Sequence, residues 1–331
     1  MLLSGWTEDR IDMAANQVEV GSTVIDFAGH IHPEPTAPDG VKQLNQYVGE
    51  HHTDVEALIR WYDRSGYDGA ALSQPAYMGH GDAEAVAEAN DVLLDGIADR
   101  PNYFGLAAIP TAAGGESAAA EFQRALDEGY HGGAIETKTD GLELVDREVE
   151  PVLEVADQTG VPVLVHPKLD DSLEPGVFDD RYLLNAIFGR EVALCESLTK
   201  VIHEGVLERY PNLTLVYHHT AGNLASMIGR IEIQLRPDQF PGQEHVVTYE
   251  EFESALRERI YIDTCGFLGH PAPLEAALDI IPPSHVLFGT DTPYEARTPA
   301  ELGEYAAAVK ETVDKDVADQ ILASNARALL D

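Results

Sequence analysis

The sequence predicts an α/β chain folded as a single-domain (β/α)8 TIM barrel, with loop insertions at the mouth formed by the C-terminal ends of its strands. Three observations lead there. Eight short apolar runs alternate with amphipathic stretches from one end of the chain to the other. Eight such units in about 300 residues match the size of this barrel. No glycine-rich phosphate loop follows a strand, which makes a doubly wound open sheet the runner-up.

The strands, in order, are STVIDFAGHIH, GAALSQ, YFGLAAIP, GGAIET, VPVLVHP, LTLVYHH, RIYIDT and HVLFGTD. Each is a short, mainly apolar run, as a strand buried on both faces requires. The helices between them are VEALIRWYDRSG, EAVAEANDVLLDGIADR, AAAEFQRALDEG, VEPVLEVADQTG, a long one over 179–209, PLEAALDII and ELGEYAAAVKE. Gly66, Gly129 and Gly160 end three of them, the position where a left-handed cap needs no side chain. Strand followed by helix, repeated, means parallel strands with crossover helices. One domain is expected over 1–331, with an N-terminal extension over 1–20 and a mouth insertion over 237–250, the irregular PDQFPGQEHVVTYE.

Composition narrows the function. The chain has 331 residues and a formal net charge of −37, from 58 acidic against 21 basic residues. That charge excludes a general nucleic-acid binder, which needs clustered basic residues, and argues against anionic membranes. The acids are scattered rather than gathered in a tail, and only six of the basic residues are Lys. Such a chain repels itself until salt screens it, which fits the salt-rich cytoplasm of a halophilic archaeon. No run approaches the roughly 18 apolar residues of a membrane span. The start MLLSGWTEDR lacks the features of a signal peptide, so a cytoplasmic protein is expected. Cys195 and Cys265 are too few for a disulfide framework and are expected to be reduced.

In such barrels chemistry collects at the C-terminal strand ends. Those ends carry His30 and His32, His166, His218 and His219, Asp263 and Thr264, and Asp291. Five of the 13 histidines fall at these few positions, which favours a site over five independent structural roles. His30 and His32, two apart on a strand, are expected to share a face. Converging with His166 and Asp291, they would make an N/O site for a divalent metal, Zn²⁺ first and Mn²⁺ second. His51 and His52 read as loop or cap residues, and His131, His245, His270 and His285 as surface residues. Asp263 and Thr264 could line the pocket, although a strand-end Asp more often caps a loop.

The motifs VIDFAGHIHP, GVPVLVHP, EGVLERYPNLTLVYHHTAG, HVLFGTDTPY and the closing NARALL resemble the amidohydrolase superfamily. Within it the chain is similar to the amidohydrolase-2 family of metal-dependent hydrolases and decarboxylases, which includes aminocarboxymuconate-semialdehyde and γ-resorcylate decarboxylases. The resemblance runs from about 24 to 330, and YLLNAIFGREVALCESLTKVIHEGVLERYPNL is most like the decarboxylase branch. It implies one divalent metal held by a His-x-His pair, the strand-five His and the strand-eight Asp: His30, His32, His166 and Asp291. It places His219 as the acid–base residue beside Asp291, with His218 facing the barrel wall by alternation and kept as a lesser, substrate-binding candidate. One position departs from the pattern. The family's pair stands two and four residues after the strand-one Asp, which from Asp26 gives Ala28 and His30. Either the pair has slid by about 6.6 Å to His30 and His32, or the first ligand is missing.

The function implied is decarboxylation of a conjugated or aromatic carboxylic acid. The alternatives are metal-dependent hydrolysis of an ester, lactone or amide, and a metal-free, non-catalytic barrel that binds a small molecule. Arg190, Arg230 and Arg297 are the candidates for holding a small-molecule carboxylate, although for each alone a surface ion pair is the simpler role. A homodimer is in keeping with the family.

Overall fold

The computed structural model describes residues 22–167, 182–237, 243–266, 269–295 and 297–331. Eight parallel strands form one sheet in chain order: β1 (Ile25–His30), β2 (Gly69–Ser73), β3 (Tyr103–Ala108), β4 (Gly132–Glu136), β5 (Pro162–His166), β6 (Thr214–Tyr217), β7 (Ile260–Asp263) and β8 (Val286–Leu287). The sheet curls until its edges meet. Phe27 N donates to Phe288 O at 2.7 Å, His30 N to Thr292 O at 2.7 Å, and Asp291 N to Ala28 O at 3.2 Å. All eight predicted strands are present, and Gly66, Gly129 and Gly160 each take the left-handed cap.

The core has two layers, as alternating side chains demand. Ile25, Phe27, Ala71, Leu106, Ala134, Leu164, Val216 and Leu287 fill the barrel interior. Val24, Leu72, Ile135, Val165, Tyr217, Ile262 and Phe288 face the surrounding helices. Truncating an interior Leu such as Leu164 to Ala would cost about 2–5 kcal/mol, since the closed barrel cannot collapse onto the hole.

Strand β1 breaks the simple alternation. Its pairing with β2 runs Ile25↔Gly69 and Asp26↔Ala70, then Gly29↔Leu72 and His30↔Ser73, so β1 uses one more residue than its partner. This bulge flips the phase of the strand. Before it, Ile25 and Phe27 point inward; after it, His30 points to the mouth and Ile31 packs in the helix layer. A Cβ on Gly29 would strike Tyr62 Oη and Leu72, so glycine is needed where the bulge ends. Asp26 lies on the outer side and holds the bulge. Its Oδ1 accepts from Ala28 N (3.1 Å) and Thr290 N (3.0 Å), and its Oδ2 from Tyr62 Oη (2.9 Å) and Thr290 Oγ1.

Other differences from the sequence reading are local. The helical region expected over 179–209 is described from 182, where it is interrupted: a wide turn at Asn185–Gly189 leads into helix Arg190–His203, and Gly205, at φ 65°, separates it from Val206–Arg209. Helix Asp39–Val48 and helix Tyr249–Arg259 were not expected. The latter carries a Thr248–Glu251 capping box. The extension expected over 1–20 lies outside the described residues, as do 238–242 of the insertion expected over 237–250. Of the remainder, Val247 N donates to His203 Nδ1 at 3.3 Å, at the C-terminal end of helix Arg190–His203. Among the described residues no helix is long and apolar enough to cross a membrane.

Candidate metal and catalytic site

Four donors converge at the mouth. Ligand atoms of His30, His166, His218 and Asp291 all lie within 4.8 Å of one another. Each comes from a strand end or the turn just after it. His30 reaches the site through the β1 bulge, and its Nδ1 is engaged by Ser73 Oγ at 2.8 Å. His166 closes β5, and its Nδ1 lies 2.9 Å from Pro167 O, so that nitrogen carries the proton. Asp291 follows β8 in the left-handed region, at φ 58°, a conformation Asp tolerates better than most residues.

Tyr217 faces the helices beside Ser197, so alternation sends Val216 and His218 inward. The expectation that His218 faces the wall is thereby corrected: it is fully buried in the cluster. His219 also enters the mouth, because the chain leaves the strand there. Residues His219, Thr220, Ala221, Gly222 and Asn223 all have φ between 51° and 66°, one left-handed turn. A lone turn of this kind costs about 1–2 kcal/mol per non-glycine residue and needs its surroundings to hold it. Helix Arg190–His203 does so. Cys195 Sγ donates to Gly222 O at 3.1 Å, and a Cβ on Gly222 would overlap Glu191 O. The same helix brings Glu191 Oε1 to 2.9 Å from His219 Nδ1.

Electrostatics split the imidazoles of the site into lowered and raised groups. Burial, then the neighbouring imidazoles of His218 and His30, push His166 well below the usual range for an imidazole. Burial likewise lowers His30 against the pull of Asp291. Burial alone would raise Asp291, but His218, His219 and His30 around it hold its carboxyl well below the usual range. His219 goes the other way. Burial opposes its charge, yet the Asp291 and Glu191 carboxylates outweigh that and raise it to about 10. Burial opposes the charge of His218 too, but the Asp263 and Asp291 carboxylates outweigh it and raise that imidazole as well. Without a cation the site therefore sets two imidazoles held neutral, His30 and His166, beside an ionised carboxylate and the two raised imidazoles, His218 and His219.

The donor set fits a divalent cation. His30 Nε2 and His218 Nε2 are buried and have no hydrogen-bond partner among the described residues. They stand 3.1 and 3.7 Å from the same Asp291 oxygen, without the alignment of a hydrogen bond. Unsatisfied buried nitrogens around one carboxylate are costly unless something positive sits among them. Imidazole nitrogens with a carboxylate suit Zn²⁺ or Mn²⁺.

His32, expected with these donors, stands apart. Its Nε2 lone pair accepts from Ala76 N at 3.0 Å and its Nδ1 lies 3.3 Å from Tyr294 Oη. The shared face expected for Asp26, Ala28, His30 and His32 is broken by the bulge. Ala28, beside Asp263 and Cys265 under Gly289, carries no donor atom. Arg190 opens its helix close enough for its charge to act on Tyr294. Arg297 lies over the Tyr305 ring, 5.2 Å from its centroid, and Arg230 is exposed on helix Ile228–Gln234.

Several site residues were read otherwise from the sequence. Asp263 holds His218 Nδ1 at 2.6 Å through Oδ2, while its Oδ1 accepts from His219 N and Cys265 N, both at 3.0 Å. His52, in the turn Glu50–His52 before a helix, is buried against Tyr294 and His32, and neither ring nitrogen has a hydrogen-bond partner among the described residues. His51 stacks on Trp61 at 4.0 Å. Glu191, Ser73 and Tyr294 had no signal beyond their closeness in sequence to Arg190, the end of strand two and Asp291.

Known proteins place this architecture. The Amidohydro_2 sequence profile, described as amidohydrolase, matches residues 29–331. The chain is 31% identical over 156 residues to 2-amino-3-carboxymuconate-6-semialdehyde decarboxylase of Dictyostelium discoideum, covering 45% of this chain and 42% of that protein. It is 25% identical over 228 residues to gamma-resorcylate decarboxylase of Rhizobium radiobacter, covering 64% of this chain and 66% of that protein. Both matches span less than two thirds of those relatives' own length. The crystal structure of dihydroxybenzoic acid decarboxylase from Polaromonas sp. JS666, with bound manganese and the inhibitor 2-nitroresorcinol, shares the fold at a TM-score of 0.77 and 19% identity, covering 93% of this chain and 97% of that one. With its profile match running through the barrel and every strand end that carries the site, the chain belongs to the Amidohydro_2 amidohydrolase family.

Proposed function

We propose that the chain is a metal-dependent decarboxylase, a carbon–carbon lyase, acting on an aromatic or conjugated carboxylic acid. The observation that carries this reading is the pairing of a converging donor cluster with a proton-bearing imidazole. His30, His166 and Asp291 would hold the cation, and His219, kept charged by Asp291 and Glu191, stands beside them. When bound, the cation, Zn²⁺ or Mn²⁺, would supply positive charge that draws electron density out of the substrate. Manganese is the ion in the Polaromonas structure.

The residues supply the rest. Arg190 attracts the anionic acid into an otherwise acidic protein. The bond between the ring carbon and its carboxylate breaks, the electron pair stays on the carbon, and CO₂ leaves. His219 gives its proton to that carbon through Nε2, and its Nδ1 stays on Glu191. The two carboxylates that raise His219 also keep the ring in place until the carbon becomes basic enough to take the proton. The relatives named as decarboxylases of gamma-resorcylate and of a carboxymuconate semialdehyde support an aromatic or conjugated acid as the substrate. A salt-rich cytoplasm and a homodimer complete the reading.

The test is a panel of hydroxylated benzoates and conjugated dicarboxylates, assayed for CO₂ release, beside esters and lactones assayed for acid release. CO₂ release without acid production from the esters supports the proposal. Acid release alone replaces it with the hydrolase. Neither activity, with full metal loading, leaves the binding protein.

A further inference from the structure

We propose that His218 is a metal ligand, the fourth donor of the site, in the place that a second strand-one histidine would otherwise fill. The inference rests on the metal-binding reading above and deepens it. Strand β1 delivers one donor only. His30 is in the cluster, Ala28 has no donor atom, and the His32 lone pair is occupied by Ala76 N. A site built from His30, His166 and Asp291 alone would leave a buried imidazole beside it unexplained. That imidazole is His218, with 0% exposure and a ring stacked on His166 at 5.1 Å.

The geometry of His218 is that of a ligand supported from behind. Its Nδ1 is committed to Asp263 Oδ2 at 2.6 Å. Asp263 is itself fixed, because its other oxygen takes the backbone N–H groups of His219 and Cys265. Nδ1 therefore donates to Asp263, and Nε2 is the nitrogen turned to the cluster. Nε2 has no hydrogen-bond partner among the described residues and lies 3.7 Å from the Asp291 oxygen that His30 Nε2 also approaches. A carboxylate behind an imidazole, with the far nitrogen exposed to a ring of donors, is how proteins orient metal-bound histidines. His219, one residue on, lies outside that group of four donors: its Nε2 is 3.7 Å from the other Asp291 oxygen.

The experiment measures affinity for Zn²⁺ and Mn²⁺ by competition with a chromophoric chelator, on the full chain, for wild type, H218A, H218N and H32A. Far-UV circular dichroism checks folding, and the visible spectrum of the Co²⁺-loaded protein reports the ligand field. We expect H218A and H218N each to lose at least about 100-fold in affinity and to change the Co²⁺ spectrum, and H32A to stay within about threefold of wild type. Two independent variants guard against a folding defect in one. Wild-type affinity in a folded H218A or H218N overturns the ligand role and leaves the metal reading standing. Failure of the wild-type protein to bind either cation overturns both.

Discussion

Asp263 Oδ2 accepts the Nδ1 proton of His218 at 2.6 Å, with both residues fully buried, and this contact decides which nitrogen of His218 faces the site. Replacing Asp263 with Asn keeps the Oδ1 acceptor for His219 N and Cys265 N but turns an N–H toward His218. The ring must then carry its proton on Nε2, where it blocks the lone pair. D263N is expected to fold and to bind metal about 10–100-fold more weakly, read by chelator competition. Unchanged affinity would show that the tautomer does not matter.

Glu191 sets the charge of His219. The active form is the protonated one, present at pH values below the folded-state pKa and lost as pH rises through it, near 10 in the metal-free protein. A cation on Asp291 takes up part of that carboxylate's charge and leaves Glu191 as the main partner. E191Q keeps the hydrogen bond but removes the charge. Its pH–rate profile is expected to fall off at clearly lower pH than wild type on the alkaline side, with the acidic side unchanged. A profile that does not move would remove His219 as the proton donor.

Gly222 fails as any larger residue for two reasons: its φ is 66°, and a Cβ there would overlap Glu191 O. G222A is expected to destabilise the protein by about 2–5 kcal/mol in urea melts, the sum of left-handed strain and overpacking. It should also push Glu191 away from His219, so the surviving activity should show the same alkaline loss as E191Q. A wild-type melt would mean that the turn relaxes freely.

The eight strands are legible because each apolar run is short and bounded by Gly, Pro or charged residues, and because His30, His166 and Asp291 close their strands or follow them directly. What is not legible follows from single-residue effects. The bulge at β1 adds one residue and reverses every side chain after it, yet nothing in IDFAGH announces it except Gly29, which has a steric reason only once Tyr62 is in place. His218 turns inward by alternation from Tyr217, and His219 enters the mouth beside it because a left-handed turn starts there. Thr220 and Ala221 are poor residues for that conformation and give no signal of it. Asp263 reads as a loop cap because its cap role is real; the same carboxylate also holds His218.

The net charge of −37 in 331 residues predicts dependence on salt. Screening shrinks the range of repulsion to roughly 3 Å at about 1 M salt. Thermal melts are expected to rise by several degrees between dilute buffer and molar KCl, and to level off once repulsion is screened. A melting temperature independent of KCl would mean that the surface acids are ordinary solubilising charge.

The central claim, that this site removes CO₂ and puts a proton in its place with a cation bound, is tested most directly in D₂O. The metal-loaded protein is given a hydroxylated benzoate from the active panel and the product is read by NMR. The account predicts one deuterium on the carbon that lost its carboxylate and one CO₂ per product. Both should vanish after chelation and return with Zn²⁺ or Mn²⁺. A turnover that persists at full rate in the chelated protein, or a product that keeps its carboxylate, would contradict it.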